Sequence, residues 1–177
     1  MNPSKLTQQV FHGSLGRPVQ ILLVEDSPSD VAMTVAVLRE GHIANDLHVA
    51  RDGEAAVNFL HRRGRFADVP RPDLILLDLN LPKKDGLEIL ADVKADDDLK
   101  AIPVVVLTTS AAESDVVRSY NLHANSYVTK PLGFEDFLSA IQQIENFWLT
   151  LVRLAEGATP SPEREQPARP ATPDHPD

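Results

Sequence analysis

The sequence predicts an α/β fold in which a parallel β-sheet is covered by helices on both faces. Five short apolar runs alternate with five segments whose apolar residues recur at helical spacing, and this alternation is typical of parallel βαβ units. The strand candidates are continuously apolar rather than alternating, which indicates strands buried on both faces. A chain of 177 residues is long enough for one such domain with a single core.

The strand candidates are short runs rich in Val, Ile and Leu, bounded by polar residues. The third of them, LILL, is the most continuously apolar, and an acid follows it directly. In chain order the candidates are Val19 to Val24, Leu47 to Ala50, Leu74 to Leu77, Pro103 to Leu107 and Ser126 to Val128.

The helix candidates follow the strands one by one. The first begins at Ser27 and Pro28, a typical N-cap and first-turn pair, and ends at Gly41. The next four are recognised by apolar residues spaced three or four apart. They lie at Ala55 to Leu60, Gly86 to Ala95, Glu113 to Leu122 and Phe134 to about Leu154.

The composition of the two ends differs from that of the middle. We expect residues 1–18, which are polar, to form a flexible lead and residues 19–155 to form the folded domain. Residues 156–177 are rich in proline and poor in large apolar residues, so they cannot bury enough surface to offset their ordering entropy. We therefore expect a disordered tail there.

Charge and composition exclude several classes of protein. The net charge of −9 argues against a nucleic-acid binder, which needs a basic face. No apolar run approaches the roughly 20 residues that cross a bilayer, so we expect no membrane association. The N-terminus lacks the apolar region of a secretory signal, and the chain has no Cys. These features favour a cytoplasmic protein.

Chemically active side chains follow four of the predicted strands at their carboxyl ends. They are Glu25 and Asp26, Asp78, Thr108, and Lys130. Taken singly, each has an ordinary explanation as a helix cap, a loop residue or a solvated lysine. Ligands of open α/β sheets bind beyond the carboxyl ends of the strands, so four such ends that meet at one edge favour a functional site.

The acids at this edge call for a cation. Clustered carboxylates cannot all stay ionised unless a cation lies among them, and Mg²⁺ with oxygen ligands meets that need. An Asp carboxylate can accept a phosphoryl group as an acyl phosphate, a reaction that depends on charge neutralisation. The pattern predicts Asp78 as the nucleophile, with Mg²⁺, Lys130 and the Thr108 hydroxyl against the phosphoryl oxygens.

Four stretches of the sequence carry a family resemblance. LLVEDSPSD, LILLDLNLPKKDGLEIL, IPVVVLTTS and NSYVTKPLGFEDF resemble the receiver domain of two-component response regulators, and the likeness runs from about Val19 to Phe147. The resemblance implies a flavodoxin-like (CheY-like) fold with strand order 2-1-3-4-5. It also implies a phosphoacceptor signalling domain rather than an enzyme, with Asp78 phosphorylated by a sensor histidine kinase.

The resemblance also implies roles for the neighbouring residues. Asp26 matches the direct Mg²⁺ ligand, Glu25 matches a ligand that acts through water, and Asn80 matches the position whose backbone carbonyl completes the metal site. Thr108 and Lys130 match the hydroxyl and amine that contact the phosphoryl group.

Tyr127 matches the aromatic switch position, and its ring is expected to turn inward when Thr108 moves toward the phosphoryl group. From the residue pattern alone, Tyr127 has the simpler interpretation of a half-buried strand residue.

Other segments, including HRRGRFADVPRPD and NFWLTLVRL, resemble the single-domain regulators that partner phytochromes and related sensor kinases. We expect no second domain after the predicted last helix, and therefore output through a protein contact or onward phosphotransfer. The apolar stripe of that helix comprises Phe134, Phe137, Leu138, Ile141, Ile144, Trp148, Leu151 and Val152. The stripe predicts a homodimer through the last helix and fifth strand, the alternative being that Trp148 and its neighbours fold back on their own core.

Two other functions are open at this point. A phosphatase of the haloacid-dehalogenase type also uses an Asp nucleophile, a hydroxyl, a Lys and an acidic pair around Mg²⁺. Its nucleophile lies on the first strand in a D-x-D motif, however, whereas Asp78 follows the third strand and Asn80 replaces the second acid. A receiver-like binding module that is never phosphorylated is the other alternative, which the complete set of site residues disfavours.

Overall fold

The computed structural model describes residues 16–41, 43–109 and 112–151. Its centre is a five-stranded sheet in which every neighbouring pair is parallel and the order is β2-β1-β3-β4-β5. This confirms the predicted fold class and strand order. The strands are β1 (Val19–Val24), β2 (Asn45–Ala50), β3 (Leu74–Leu77), β4 (Val104–Thr108) and β5 (Ser126–Thr129).

A helix follows each strand. The helices are α1 (Pro28–Glu40), α2 (Gly53–Leu60), α3 (Gly86–Ala95), α4 (Glu113–Asn121) and α5 (Phe134–Ile144). A short 3₁₀ turn at Gly64–Phe66 follows α2, and a π-helical segment at Glu145–Leu151 continues α5. The last predicted helical residues, 152–154, lie outside the described residues, as do nearly all of the predicted lead and the whole predicted tail.

Side-chain caps start three of the helices, α1, α2 and α3. The Ser27 hydroxyl accepts a hydrogen bond from the backbone N–H of Asp30, and the Asp52 carboxylate accepts one from Ala55. Asp85 forms a reciprocal capping box at the start of α3. Because these caps satisfy N–H groups that have no partner within the helix, they fix where each helix leaves the sheet edge.

Apolar side chains of the strands alternate between two cores, one on each face of the sheet. Leu22, Ile75 and Val106 face the core that includes residues of α2 and α3. Leu23 and Leu76 face the core that includes residues of α1 and α5. Both faces are therefore covered, as the continuous apolar strand pattern predicts.

The edge strand β2 begins two residues earlier than predicted. Its first residues are polar, Asn45 half-buried and Asp46 exposed, so no apolar run marks them. They belong to the sheet because they lie in register with Val19 and Gln20 of β1. Backbone pairing sets the residue at which β2 begins, and the pattern of apolar side chains does not predict that residue.

The expectation of an exposed apolar stripe on the last helix is wrong for its central residues. Phe137, Ile141, Ile144 and Trp148 are buried in the core beneath α1 and α5, so the alternative of folding back holds for them. Of the other predicted members that are described, Phe134 is exposed and Leu138 is half-buried.

No helix within the described ranges is both long enough and apolar enough to cross a membrane.

Candidate functional site

The structure brings the predicted site residues to one edge of the sheet. Glu25 and Asp26 follow β1, and Asp78 follows the neighbouring strand β3, whose last residue is in register with the last residue of β1. Thr108 is the last residue of β4, and its backbone oxygen accepts a hydrogen bond of 2.7 Å from the N–H of Lys130. Parallel pairing therefore places residues far apart in sequence beside one another.

Lys130 lies at the centre of this edge and is buried. Its Nζ donates hydrogen bonds to carboxylate oxygens of Asp78 and Asp30, each at 2.9 Å, and to Glu25. An ammonium has three N–H donors, so these three carboxylates use all of them. The side chain is held in one position, with its charge shared among three acids.

Asp78 is itself held at both carboxylate oxygens. Oδ2 accepts from Lys130, and Oδ1 accepts from the backbone N–H of Asn80 at 3.1 Å. The backbone of Asp78 is in turn packed against Gly86, where an added Cβ would lie 2.4 Å from the Asp78 carbonyl oxygen. A side chain at position 86 would push this loop away, so the glycine allows α3 to approach the acid.

Three carboxylates are placed to share a cation. Glu25, Asp26 and Asp78 each offer an oxygen, and these oxygens all lie within 4.8 Å of one another. Oxygen donors at this separation suit a hard divalent ion such as Mg²⁺ or Mn²⁺. Asp26 is exposed to solvent whereas the other two acids are buried, so an ion there would keep access to water.

Thr108 and Tyr127 lie on β4 and β5, the two strands beyond β3 in the sheet. Thr108 is fully buried, and the side-chain amide of Asn80 donates a weak hydrogen bond of 3.4 Å to its hydroxyl. Tyr127 lies opposite Val106 in the register of β4 and β5 and is half-buried against the core on that face. The two side chains therefore occupy adjacent strands at the same end of the sheet.

The electrostatics follow from one ammonium shared among several acids. Burial disfavours the charged form of Lys130, but the hydrogen bonds to Asp78, Glu25 and Asp30 outweigh it and raise the pKa of the ammonium above its usual range. Burial also raises the pKa of the Glu25 carboxyl, against the opposing hydrogen bonds from Lys130 and the Ser27 N–H. Lys130 thus stays protonated, but its one positive charge cannot neutralise all three carboxylates.

Asp30 is a member of the site that sequence reasoning missed. It lies in the first turn of α1, where an acid is ordinarily explained by the helix dipole. A signal was available, because the first turn of a helix that directly follows β1 must lie at the same edge as the strand end. Only the structure shows that its carboxylate reaches Lys130, 100 positions later in the chain.

Known families and solved structures show which protein family has this fold and this arrangement of acids. The model of the response regulator receiver domain matches residues 21–142. The chain belongs to this family. It is a receiver domain, a signalling domain of two-component response regulators, and the haloacid-dehalogenase and binding-module alternatives are not favoured.

One relative is matched over nearly its whole length. Response regulator Rcp1 of Synechocystis sp. is 53% identical over 137 residues, which cover 77% of this chain and 93% of that protein. The crystal structure of the Mn²⁺-bound form of Rcp1 matches with a TM-score of 0.77 at 52% identity, covering 78% of this chain and 100% of that one.

A second structure is that of the phosphorylated cyanobacterial phytochrome response regulator RcpA, with a TM-score of 0.77 and 44% identity. The match covers 78% of this chain and 99% of that chain.

Proposed function

We propose that Asp78 is the phosphoacceptor of this receiver domain and that a sensor histidine kinase is the donor. A carboxylate oxygen of Asp78 attacks the phosphorus of the donor's phosphohistidine and a P–O bond forms. The P–N bond breaks, and its electron pair goes to the imidazole nitrogen, which takes a proton. The proposal rests on the position of Asp78, which is buried between an ammonium and two further acids.

The donor set fits a divalent cation in the same place. Glu25, Asp26 and Asp78 would hold Mg²⁺, with the backbone carbonyl of Asn80 as a further ligand. Bound there, Mg²⁺ supplies charge neutralisation for a phosphoryl oxygen. The Mn²⁺-bound form of the similar protein Rcp1 supports this assignment.

Lys130 and Thr108 would contact the phosphoryl group. The bond from Lys130 to Asp78 passes to a phosphoryl oxygen once the acid is modified, because the ammonium already lies 2.9 Å from Oδ2. Thr108 would turn its hydroxyl toward the group and leave space that Tyr127 fills. The phosphoryl group adds close to two negative charges, so a local electrostatic change becomes a packing change at α4, β5 and α5.

We infer that the kinase is of the phytochrome type, because a similar structure is that of a phosphorylated phytochrome response regulator. We place this partnership in the cytoplasm, since the phosphohistidine donor is made with cytoplasmic ATP.

Phosphotransfer from a panel of labelled sensor kinases tests the assignment. We expect label to reach the wild-type chain fastest from a phytochrome-type kinase, only in the presence of Mg²⁺, and not to reach Asp78→Asn. Asp92→Asn, which changes an acid on α3, serves as the control and should be labelled like the wild type. Label on Asp78→Asn would refute Asp78 as the acceptor.

We also propose that output involves a homodimer through α5 and β5. Leu132 before α5, Phe134 at its start and Phe147 in its π-helical continuation are exposed large apolar side chains. A groove of about 380 Å³ lies between β5 and α5, lined in part by Val128 and Trp148. A second copy could bury this surface, because exposed apolar patches of this kind typically mark protein contacts.

Sedimentation velocity tests the dimer. The test uses substitutions, because a chain truncated after Glu145 would lose Trp148, which is part of the core. We expect the wild type to sediment as a dimer, Phe147→Glu to sediment as a monomer, and Tyr120→Glu on α4, which changes an equally exposed apolar residue, to remain a dimer. A wild-type chain that stays monomeric at all concentrations contradicts the proposal.

A further inference from the structure

Asp30 differs from the other two acids that bind Lys130. Glu25 and Asp78 belong to the group of carboxylates that converge on a possible cation, whereas Asp30 does not. Its carboxylate nevertheless lies 2.9 Å from the Lys130 ammonium, the same distance as that of Asp78. Asp30 therefore takes one of the three N–H donors of Lys130 without taking part in the predicted metal or phosphoryl chemistry.

The position of Asp30 is fixed by its own helix. Its backbone N–H donates to the Ser27 hydroxyl at 3.3 Å, and its backbone oxygen accepts from the Thr34 hydroxyl at 2.8 Å. The Lys130 side chain is 3% exposed and is also bound by Glu25. Loss of the Asp30 charge would consequently remove one of the negative charges that the ammonium faces, while the remaining contacts keep the Lys130 side chain in place.

The charge of Asp30 acts oppositely on anions and cations at this edge. A negative charge beside the ammonium lowers the positive potential that Lys130 presents to a phosphoryl group, and it repels the group directly. The same charge reduces the repulsion between Lys130 and a cation held by Glu25, Asp26 and Asp78. Both effects follow from Coulomb interactions over a few ångströms, weakened by the partial exposure of the Asp30 side chain.

We propose that Asp30 is a positioning residue that holds part of the Lys130 charge away from Asp78, and so restrains phosphorylation while strengthening binding of a divalent cation. The inference rests on the proposed function of Asp78. It adds a residue whose charge sets both the affinity for the divalent cation and the rate of phosphorylation.

The experiment compares Asp30→Asn, Asp30→Glu and a matched control, Glu88→Gln, in the full chain. Glu88 also occupies the third position of a helix, in the capping box of α3, but contacts no lysine of the site. Two quantities are measured: the affinity for Mg²⁺ by calorimetry, and the rate of labelling by radioactive acetyl phosphate at saturating Mg²⁺.

We expect Asp30→Asn to raise the labelling rate about three- to tenfold and to weaken Mg²⁺ binding by a similar factor, as removal of one nearby charge in a partly solvated site predicts. Asp30→Glu should stay close to the wild type, because it keeps the charge. Glu88→Gln should change neither quantity.

Opposite changes in the two quantities are the signature of the charge, because a loss of helix stability alone would not raise the labelling rate. Unchanged values in Asp30→Asn, a decrease in both quantities, or equal changes in Glu88→Gln would overturn the inference and leave Asp78 as the acceptor. An unlabelled wild-type chain would instead overturn the proposed function, and this inference with it.

Discussion

Replacing Lys130 by Met removes the ammonium that the buried acids of the site share. Glu25 and Asp78 would keep their burial and lose their shared ammonium. Removing one partner of a buried ion pair costs about 3 to 5 kcal/mol, because a charge is left uncompensated. We therefore expect a large loss in the free energy of unfolding near pH 7.

Protonation of one acid limits this loss. A glutamate with the ordinary pKa of 4.5 takes up a proton near pH 7 at a cost of about 3.4 kcal/mol, and near pH 5 at about 0.7 kcal/mol. The pKa of Glu25 is already raised by burial and rises further without Lys130. An acid whose pKa is higher in the folded state stabilises the fold below its unfolded pKa and loses that effect as the pH rises. The deficit of Lys130→Met should therefore fall from about 3 kcal/mol near pH 7 to about 1 kcal/mol near pH 5.

Urea unfolding followed by circular dichroism at the two pH values measures this deficit. Lys94→Met is the matched control, because Lys94 is partly buried and bonds to the carbonyl oxygens of Lys100 and Ile102 and to Asn125, not to a carboxylate. Its deficit should not change between the two pH values. Mg²⁺ should restore stability to Lys130→Met and not to Lys94→Met. A deficit of Lys130→Met that is independent of both pH and Mg²⁺ would refute the reasoning.

Two further changes test the close packing beside Asp78 and the cap of α2. Gly86→Ala places a Cβ 2.4 Å from the Asp78 carbonyl oxygen, so we expect a loss of about 1 to 3 kcal/mol in urea unfolding, whereas Gly133→Ala, which meets only the flexible carboxylate of Asp136, should cost much less. Equal losses would contradict the close packing at Gly86. Asp52→Ala removes the N-cap of α2 and should cost about 1 kcal/mol near pH 7. The hydrogen bond from Lys83 lowers the pKa of Asp52 below 3.8, so this contribution is present above that value and is lost as the pH falls through the lowered pKa. A difference that persists in strong acid would show that the carboxylate charge is not its source.

Local pattern predicted the parts of the fold that local chemistry controls. The apolar run LILL forms β3 at its predicted bounds, because a run of buried side chains has few alternatives between the two helical layers. The acids after β1 and β3 were found for the same reason, since a carboxylate at the end of a buried strand has to be paired or to bind an ion. The strand order came from the family resemblance, because strand composition does not report which strands are neighbours.

The sequence by itself therefore determined which elements form and which strand ends carry the reactive groups. The tertiary structure decided three things that depend on distances between residues remote in the chain. It paired the polar start of β2 with β1, buried Trp148 in the core beneath α1 and α5, and placed Asp30 beside Lys130. Periodicity reports only whether a helix has an apolar face. What covers that face, and which acid shares an ammonium, is set by the packing of whole helices against the sheet.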